Sequence, residues 1–210
     1  MICVLLAVAG SPELCFAADP RYPDWPCAQA KVPDVSLAAV WAGPPLDDVA
    51  GKWKDDARVS ALLPRLAARR TPLDEAQTTI TEFLAGSAEE KTEKGKLLFS
   101  GLFDTLNAQR SSVMGGLERV TRKQREAADR IRANTLALHA LQDASPPDQS
   151  KVEELGNQLV WETRIFEDRQ RVIKFVCEVP TAIDQRLFAF GRIIQQEMEK
   201  RTPPLTPSTD

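Results

Sequence analysis

The sequence predicts an all-α protein: a long antiparallel helical hairpin, coiled-coil-like, with two short helices at its base and an extended Pro/Trp-rich amino-terminal strap. Two heptad repeats predict the hairpin, because apolar residues seven apart in two interleaved rows indicate a helix packed along another helix. The first repeat consists of Leu106, Val113, Val120, Ala127, Asn134 and Leu141 with Phe103, Arg110, Leu117, Gln124, Ile131 and Leu138. The second consists of Val152, Leu159, Phe166, Ile173, Pro180, Leu187 and Ile194 with Leu155, Glu162, Arg169, Val176, Ile183, Phe190 and Glu197.

The amino terminus predicts a signal peptide over residues 1–17. Its apolar run from Ile2 to Gly10 is too short to span a bilayer, and Cys15 and Ala17 are small residues where signal peptidase reads the chain. We therefore expect cleavage after Ala17 and a periplasmic mature protein. A buried apolar strand is the alternative interpretation, because no basic residue lies close to Met1.

Residues 18–54 predict the strap, because six prolines exclude a long helix while Trp25 and Trp41 favour packing against the protein. Amphipathic patterns then predict short helices at 55–70 and 72–85. The second of these begins with Thr71 as N-cap and Pro72 in its first turn.

Two long helices complete a helical domain over residues 55–200. Ser87 with Glu90, and Ser150 with Glu153, match the capping box and predict helices at 88–142 and 151–200, joined by a turn near 144–149. The last segment, 201–210, contains three prolines and is predicted to be a disordered tail.

The heptads also predict a register in which Leu117 faces Val176 and Leu106 faces Leu187. Gly115 and Gly116 then lie near the level of Pro180, which predicts a shared hinge where both helices bend. The glycines could instead make room for the strap or a bulky neighbour. A domain-swapped dimer is an alternative to the single-chain hairpin, because the same seam can close between two copies.

Four cysteines are present, and removal of the signal peptide leaves Cys27 and Cys177. We expect these two to form a disulfide in an oxidising compartment, which would attach the strap to the second long helix. Two separately buried thiols are the alternative.

Composition and the absence of known motifs argue against nucleic-acid binding, metal binding and catalysis. A formal net charge of −3 disfavours general nucleic-acid binding. His139 is the only histidine, and the sequence has no Glu-x-x-His pair, zinc-ligand spacing, phosphate-binding loop or nucleophile triad. We therefore expect no metal, no cofactor and no enzymatic activity.

One charged group suggests a binding surface for an acidic or membrane-associated protein partner. It comprises Arg119, Arg122, Lys123, Arg125, Arg130 and Arg132. A merely solvated helix face is the alternative reading of this group. The expected function is an exported, non-enzymatic scaffold or adaptor that binds another periplasmic or membrane-associated protein through its hairpin. The rival function is a small-ligand or metal-binding bundle, or an enzyme, with a site between the short helices and the hairpin base, where Phe99, Phe103, Phe188 and Phe190 gather.

Overall fold

The computed structural model describes residues 19–200, so the predicted signal peptide at 1–17 and the predicted tail at 201–210 lie outside the described residues. The described chain contains helices and turns and no strand. The all-α prediction is therefore confirmed for residues 19–200.

The strap runs along the hairpin and is interrupted by short helical turns. These are helix α1 (Leu37–Val40) and two 3-10 turns, at Asp47–Val49 and Lys52–Lys54. Trp41 stacks on Phe99 of the hairpin with ring centroids 4.4 Å apart, and its indole N–H donates to the Pro44 carbonyl. The tryptophan therefore fixes the strap to the core, as its position in a proline-rich segment indicates.

Two short helices follow the strap, α2 (Ala57–Ala67) and α3 (Leu73–Phe83). Asp56 caps α2 by accepting hydrogen bonds from the backbone N–H groups of Arg58 and Val59, which a helix cannot satisfy internally. Packing of α2 against the first long helix and of α3 against the end of the second places both at the hairpin base.

The first long helix is α4 (Ala88–Asp143), whose 56 residues extend about 84 Å at ~1.5 Å per residue. Its predicted capping box is confirmed. The Glu90 N–H donates to the Ser87 hydroxyl at 3.3 Å, and the Ser87 N–H donates to the Glu90 carboxylate at 2.8 Å.

The second long helix is divided into α5 (Gln149–Val176) and α6 (Glu178–Glu199), with a break at Cys177. Pro180 explains the break, because it has no N–H to donate to the Val176 carbonyl one turn earlier. The predicted capping box at Ser150 and Glu153 is wrong. Asp148 is the N-cap and accepts from the Lys151 N–H at 3.2 Å, and an aspartate caps as well as a serine does.

The core lies where α2, α3, α4 and α6 meet, and it includes the fully buried Phe99, Leu106, Leu187 and Phe190. A second, smaller cluster contains Leu117, Ile173 and Cys177 with Val176 packed against it. Leu106 and Leu187 thus share one cluster, and Leu117 and Val176 share the other. The two long helices pack against each other within one chain, and each predicted pair lies within one cluster.

Gly115 and Gly116, the two glycines of the predicted hinge, do not interrupt their helix as Pro180 does. Helix α4 continues as an α-helix through Gly115 and Gly116. A methyl group added at either would meet only the Arg119 guanidinium, at 3.4 and 3.9 Å. Neither glycine is therefore needed to make room for the strap or for a bulky neighbour. At this level the second long helix is interrupted, whereas α4 is a continuous helix.

Candidate functional site

The strap covers one side of the middle of the hairpin. Cys27 forms a disulfide with Cys177 at the break between α5 and α6, with Cα atoms 5.5 Å apart and a sequence separation of 150. Beside it, Gln29 donates to the Cys177 carbonyl, and Lys31 pairs with Glu118 at 2.5 Å. The strap is therefore attached to the middle of the hairpin both by a covalent bond and by polar contacts. The predicted pairing of Cys27 with Cys177 is present.

The strap also engages part of the basic group. Asp24 accepts from Arg122 at 2.7 Å and also pairs with Arg125. Arg132 pairs with Asp129 one turn earlier on its own helix. Within residues 19–200, the other three members of the group, Arg119, Lys123 and Arg130, form no ion pair, so this half of the predicted partner surface has unpaired positive charge.

The opposite side of the hairpin is open. Around α4, Glu118 and Arg125 lie on one side of the seam residue Leu117, and Gly116 and Val120 lie on the other, given 3.6 residues per turn. The strap contacts the first side. The second side lines a groove between α4 and α5.

This groove has a volume of about 510 Å³, and its walls are almost wholly apolar. Beyond Arg169 it continues into a hollow of about 190 Å³ between the same two helices. The first hollow is lined by Val113, Gly116, Leu117, Val120, Asp168, Arg169, Val172, Ile173 and Val176, and the second by Ala127, Arg130, Ile131, Glu162, Ile165, Phe166 and Arg169. We call the two together the hairpin groove.

Four exposed apolar side chains lie along one side of α5, and two of them, Ile165 and Val172, line the groove. Trp161 is 62% exposed, Ile165 46%, Val172 57% and Phe175 77%. With Asp168 these positions are spaced four, three, four and three residues apart, which is the spacing of a helix–helix seam. Several large apolar groups on one helix side, here interrupted by Asp168, indicate an interaction surface, whereas single exposed ones do not. We call these four residues the α5 stripe.

Three basic residues in or beside the groove have no ion pair. Arg169 lies between the two hollows, and neither it nor Lys123 nor Arg130 has an ion pair in the described part of the chain. Of the nearby acids, Asp168 pairs with Arg171. Glu162 accepts from the neutral amides of Asn134 at 3.1 Å and Gln158 at 3.0 Å and therefore keeps its negative charge. Glu126, one turn from Lys123 and from Arg130 on α4, also has no ion pair in residues 19–200. The three unpaired cations, Lys123, Arg130 and Arg169, therefore outnumber the two acids without a cationic partner, Glu126 and Glu162.

The aromatic cluster at the base of the hairpin, where the rival site was expected, is a packed core. A separate open hollow of about 520 Å³ lies between the strap, the start of α2 and α4, and most of its lining side chains are charged. Phe99 and Phe190 are fully buried, Phe103 packs against the same cluster, and Phe188 points outward with 49% exposure. Arg186 is buried beside these rings, 4.9 Å from the Phe190 centroid, and donates to the Leu66 carbonyl at 2.9 Å. Burial lowers the pKa of its guanidinium. These contacts account for the aromatic cluster as packing.

No group of three or more metal-ligating side chains converges anywhere in residues 19–200. None of the helices in that range is long and apolar enough to cross a membrane. Sequence reasoning identified the seam but missed the α5 stripe, whose signal was a second heptad row, Trp161, Ile165, Asp168, Val172 and Phe175, beside the first.

The chain matches no protein-family model, no curated protein and no solved structure.

Proposed function

We propose that this protein is an exported, non-enzymatic helical scaffold or adaptor that binds another periplasmic or membrane-associated protein through its long hairpin. The observation that carries the proposal is the α5 stripe beside the hairpin groove. A single-chain hairpin with a strap on one side leaves this apolar side uncovered, and apolar surface of that extent favours a protein partner.

Two further features support export. The Cys27–Cys177 disulfide is the kind of bond that persists in an oxidising compartment, and residues 1–17 contain the short apolar run and the small residues at 15 and 17 expected of a signal peptide. Cell fractionation followed by mass spectrometry of the purified protein tests this directly. A mature chain that begins at Ala18 in the periplasmic fraction is expected, and a chain that retains Met1 in the cytosol contradicts export.

The binding function is tested by a native pull-down with the double variant Ile165→Glu and Val172→Glu. Both side chains are about half exposed on the α5 stripe, so charge there should leave folding intact while it removes the apolar contact. Loss of the co-purified partner is the expected result, with helicity measured by circular dichroism in parallel.

The matched control is Leu136→Glu. Leu136 is 71% exposed and lies about three turns beyond Arg125 on the same side of α4, away from the groove. This variant introduces the same chemical change outside the proposed surface and should retain the partner. If the folded Ile165→Glu and Val172→Glu variant recovers as much partner as the wild type, the partner does not bind at the groove.

A further inference from the structure

The hairpin groove has the dimensions of a helix-binding site. From Glu162 to Val176 along α5 it extends about 21 Å at ~1.5 Å per residue, which is four helical turns. Two helices that lie side by side present a groove into which a third helix packs, as in helical bundles. The length and shape therefore match one helix of about four turns.

The spacing of the α5 stripe points to the same occupant. Side chains at alternating intervals of four and three residues place apolar groups on one narrow face, where the side chains of a neighbouring helix interdigitate. An extended strand or an acyl chain has no matching period. The α5 helix thus has one seam toward α4 and an adjacent one without a partner in residues 19–200.

Gly116 provides a hole in the floor of the groove. A methyl group at this position would meet nothing closer than the tip of Arg119 at 3.9 Å, so the space above the glycine is open. A large side chain of an incoming helix could enter there, between Val113 and Val120.

Charge defines the flanks of that helix. Lys123 and Arg130 on α4 and Arg169 on α5 have no ion pair within the described residues. Asp168 is paired with Arg171, and the unpaired acids nearby, Glu126 and Glu162, are fewer than these three cations. Acidic residues beside the apolar face of the incoming helix would pair with these three cations, and basic residues there would be repelled.

We propose, building on the proposed function, that the hairpin groove binds a single amphipathic helix of a partner protein, with acidic residues flanking its apolar face, and so forms a local three-helix bundle. Leucine-type side chains pack on the α5 stripe and over Gly116. Acidic side chains pair with Lys123, Arg130 and Arg169.

The test uses two synthetic peptides of three heptads each, with leucine at the two seam positions. One carries glutamate at both flanking positions and the other carries lysine there. Binding to the full mature protein is measured by fluorescence anisotropy of the labelled peptide. Three exposed ion pairs of a few tenths of a kcal/mol each should make the glutamate peptide bind about tenfold more tightly than the lysine peptide.

Two variants locate the site. Gly116→Leu fills the hole and should weaken binding of the glutamate peptide by about tenfold or more. Gly156→Leu is the matched control, because a side chain there meets nothing within 4 Å and Gly156 lines neither hollow. Both replace a helical glycine by a better helix former, so neither should unfold the protein.

The double variant Lys123→Glu and Arg130→Glu should reverse the preference toward the lysine peptide. Equal binding of the two peptides, binding of neither, or a glutamate preference that survives this reversal would overturn the proposal. So would a wild-type dimer in sedimentation that Gly116→Leu dissociates, because the groove would then bind a second copy of the chain.

Failure of this inference differs from failure of the proposed function. If the Ile165→Glu and Val172→Glu variant loses its native partner while the peptides show no charge preference, the hairpin binds a protein but not through an acidic helix. If that variant retains the partner, the partner does not bind at the groove, and the proposed function fails at this surface.

Discussion

Gly191 of α6 lies directly beneath the backbone carbonyl of Val40, so closely that a methyl group at residue 191 would be 2.0 Å from the carbonyl oxygen. Glycine here lets the strap pass against the helix. The contact lies beside the stacked Trp41 and Phe99 rings, and a methyl group would also approach Phe99 at 3.4 Å. The close packing of the strap on the hairpin core at this point therefore requires glycine at position 191.

We expect Gly191→Ala to destabilise the protein by about 1 to 3 kcal/mol, because the backbone of the strap must move to admit the methyl group. Gly156→Ala is the control, since it has open space and should stabilise α5 by about 0.5 to 1 kcal/mol. Urea denaturation of both variants measures the difference. Equal stability of Gly191→Ala and the wild type would show that the strap does not pack at this point.

The disulfide gives a second prediction. Linking Cys27 to Cys177 constrains a loop of 150 residues in the unfolded chain, which on the chain-entropy account contributes roughly 4 to 5 kcal/mol. Reduction of the mature protein should therefore lower its melting temperature.

The double variant Cys27→Ser and Cys177→Ser is the control for this experiment. It should melt at the reduced temperature and respond to no reductant. Two alkylatable thiols in the native mature protein would contradict the bond.

Gly115 and Gly116 give a prediction about the helix itself. Each costs about 0.5 to 1 kcal/mol relative to alanine inside a helix, and the structure has room for a methyl group at both. Gly115→Ala with Gly116→Ala should raise the free energy of unfolding by about 1 to 2 kcal/mol in thermal or urea denaturation. A loss of stability instead would mean that α4 bends at this point and needs the flexibility of glycine.

Three carboxylates at helix starts predict a dependence on pH. Hydrogen bonds from backbone N–H groups hold the pKa of Asp56 and Glu90 below their ordinary values of 3.8 and 4.5. The pKa of Asp148 is lowered mainly by a hydrogen bond from the Lys151 side chain, and further by one from the Lys151 backbone N–H. A carboxylate whose pKa is lower in the folded state than in the unfolded state stabilises the fold at every pH above its unfolded-state pKa. That stabilisation is lost as the pH falls through the lower, folded-state pKa.

The triple variant Asp56→Asn, Glu90→Gln and Asp148→Asn should therefore be less stable than the wild type at pH 7. The difference should shrink as the pH falls from about 5 to 3. Asparagine caps as well as aspartate, so the comparison isolates the charge. A difference that stays constant over this range would assign the effect to cap geometry.

The sequence predicted the helices and their register because heptad spacing and caps are local signals. It could not predict what charged seam residues do. Arg110 is 3% exposed, and its guanidinium pairs with Asp184 at 2.8 Å and donates to the Pro33 carbonyl at 3.0 Å. The contact with Pro33 comes from the strap, 77 residues away, so no local pattern encodes it.

The candidate site shows the same limit. The six basic residues were visible as a group, but their division into strap-bound and free members depends on Asp24, which is about a hundred residues away in sequence. The α5 stripe was present in the sequence as a second heptad row. Whether another part of the chain covers it is a property of the tertiary structure alone.

The final prediction separates the two roles of the basic group. Arg122→Glu with Arg125→Glu should loosen the strap, because both arginines pair with Asp24, and each exposed pair contributes about 0.2 to 1 kcal/mol. Adding Asp24→Lys to this double variant restores the pairing with opposite signs and should recover the lost stability. If these arginines also bind an acidic partner, the triple variant should regain its melting temperature and still fail to retain the partner in a native pull-down. Recovery of both stability and partner by the triple variant would assign Arg122 and Arg125 to the strap alone.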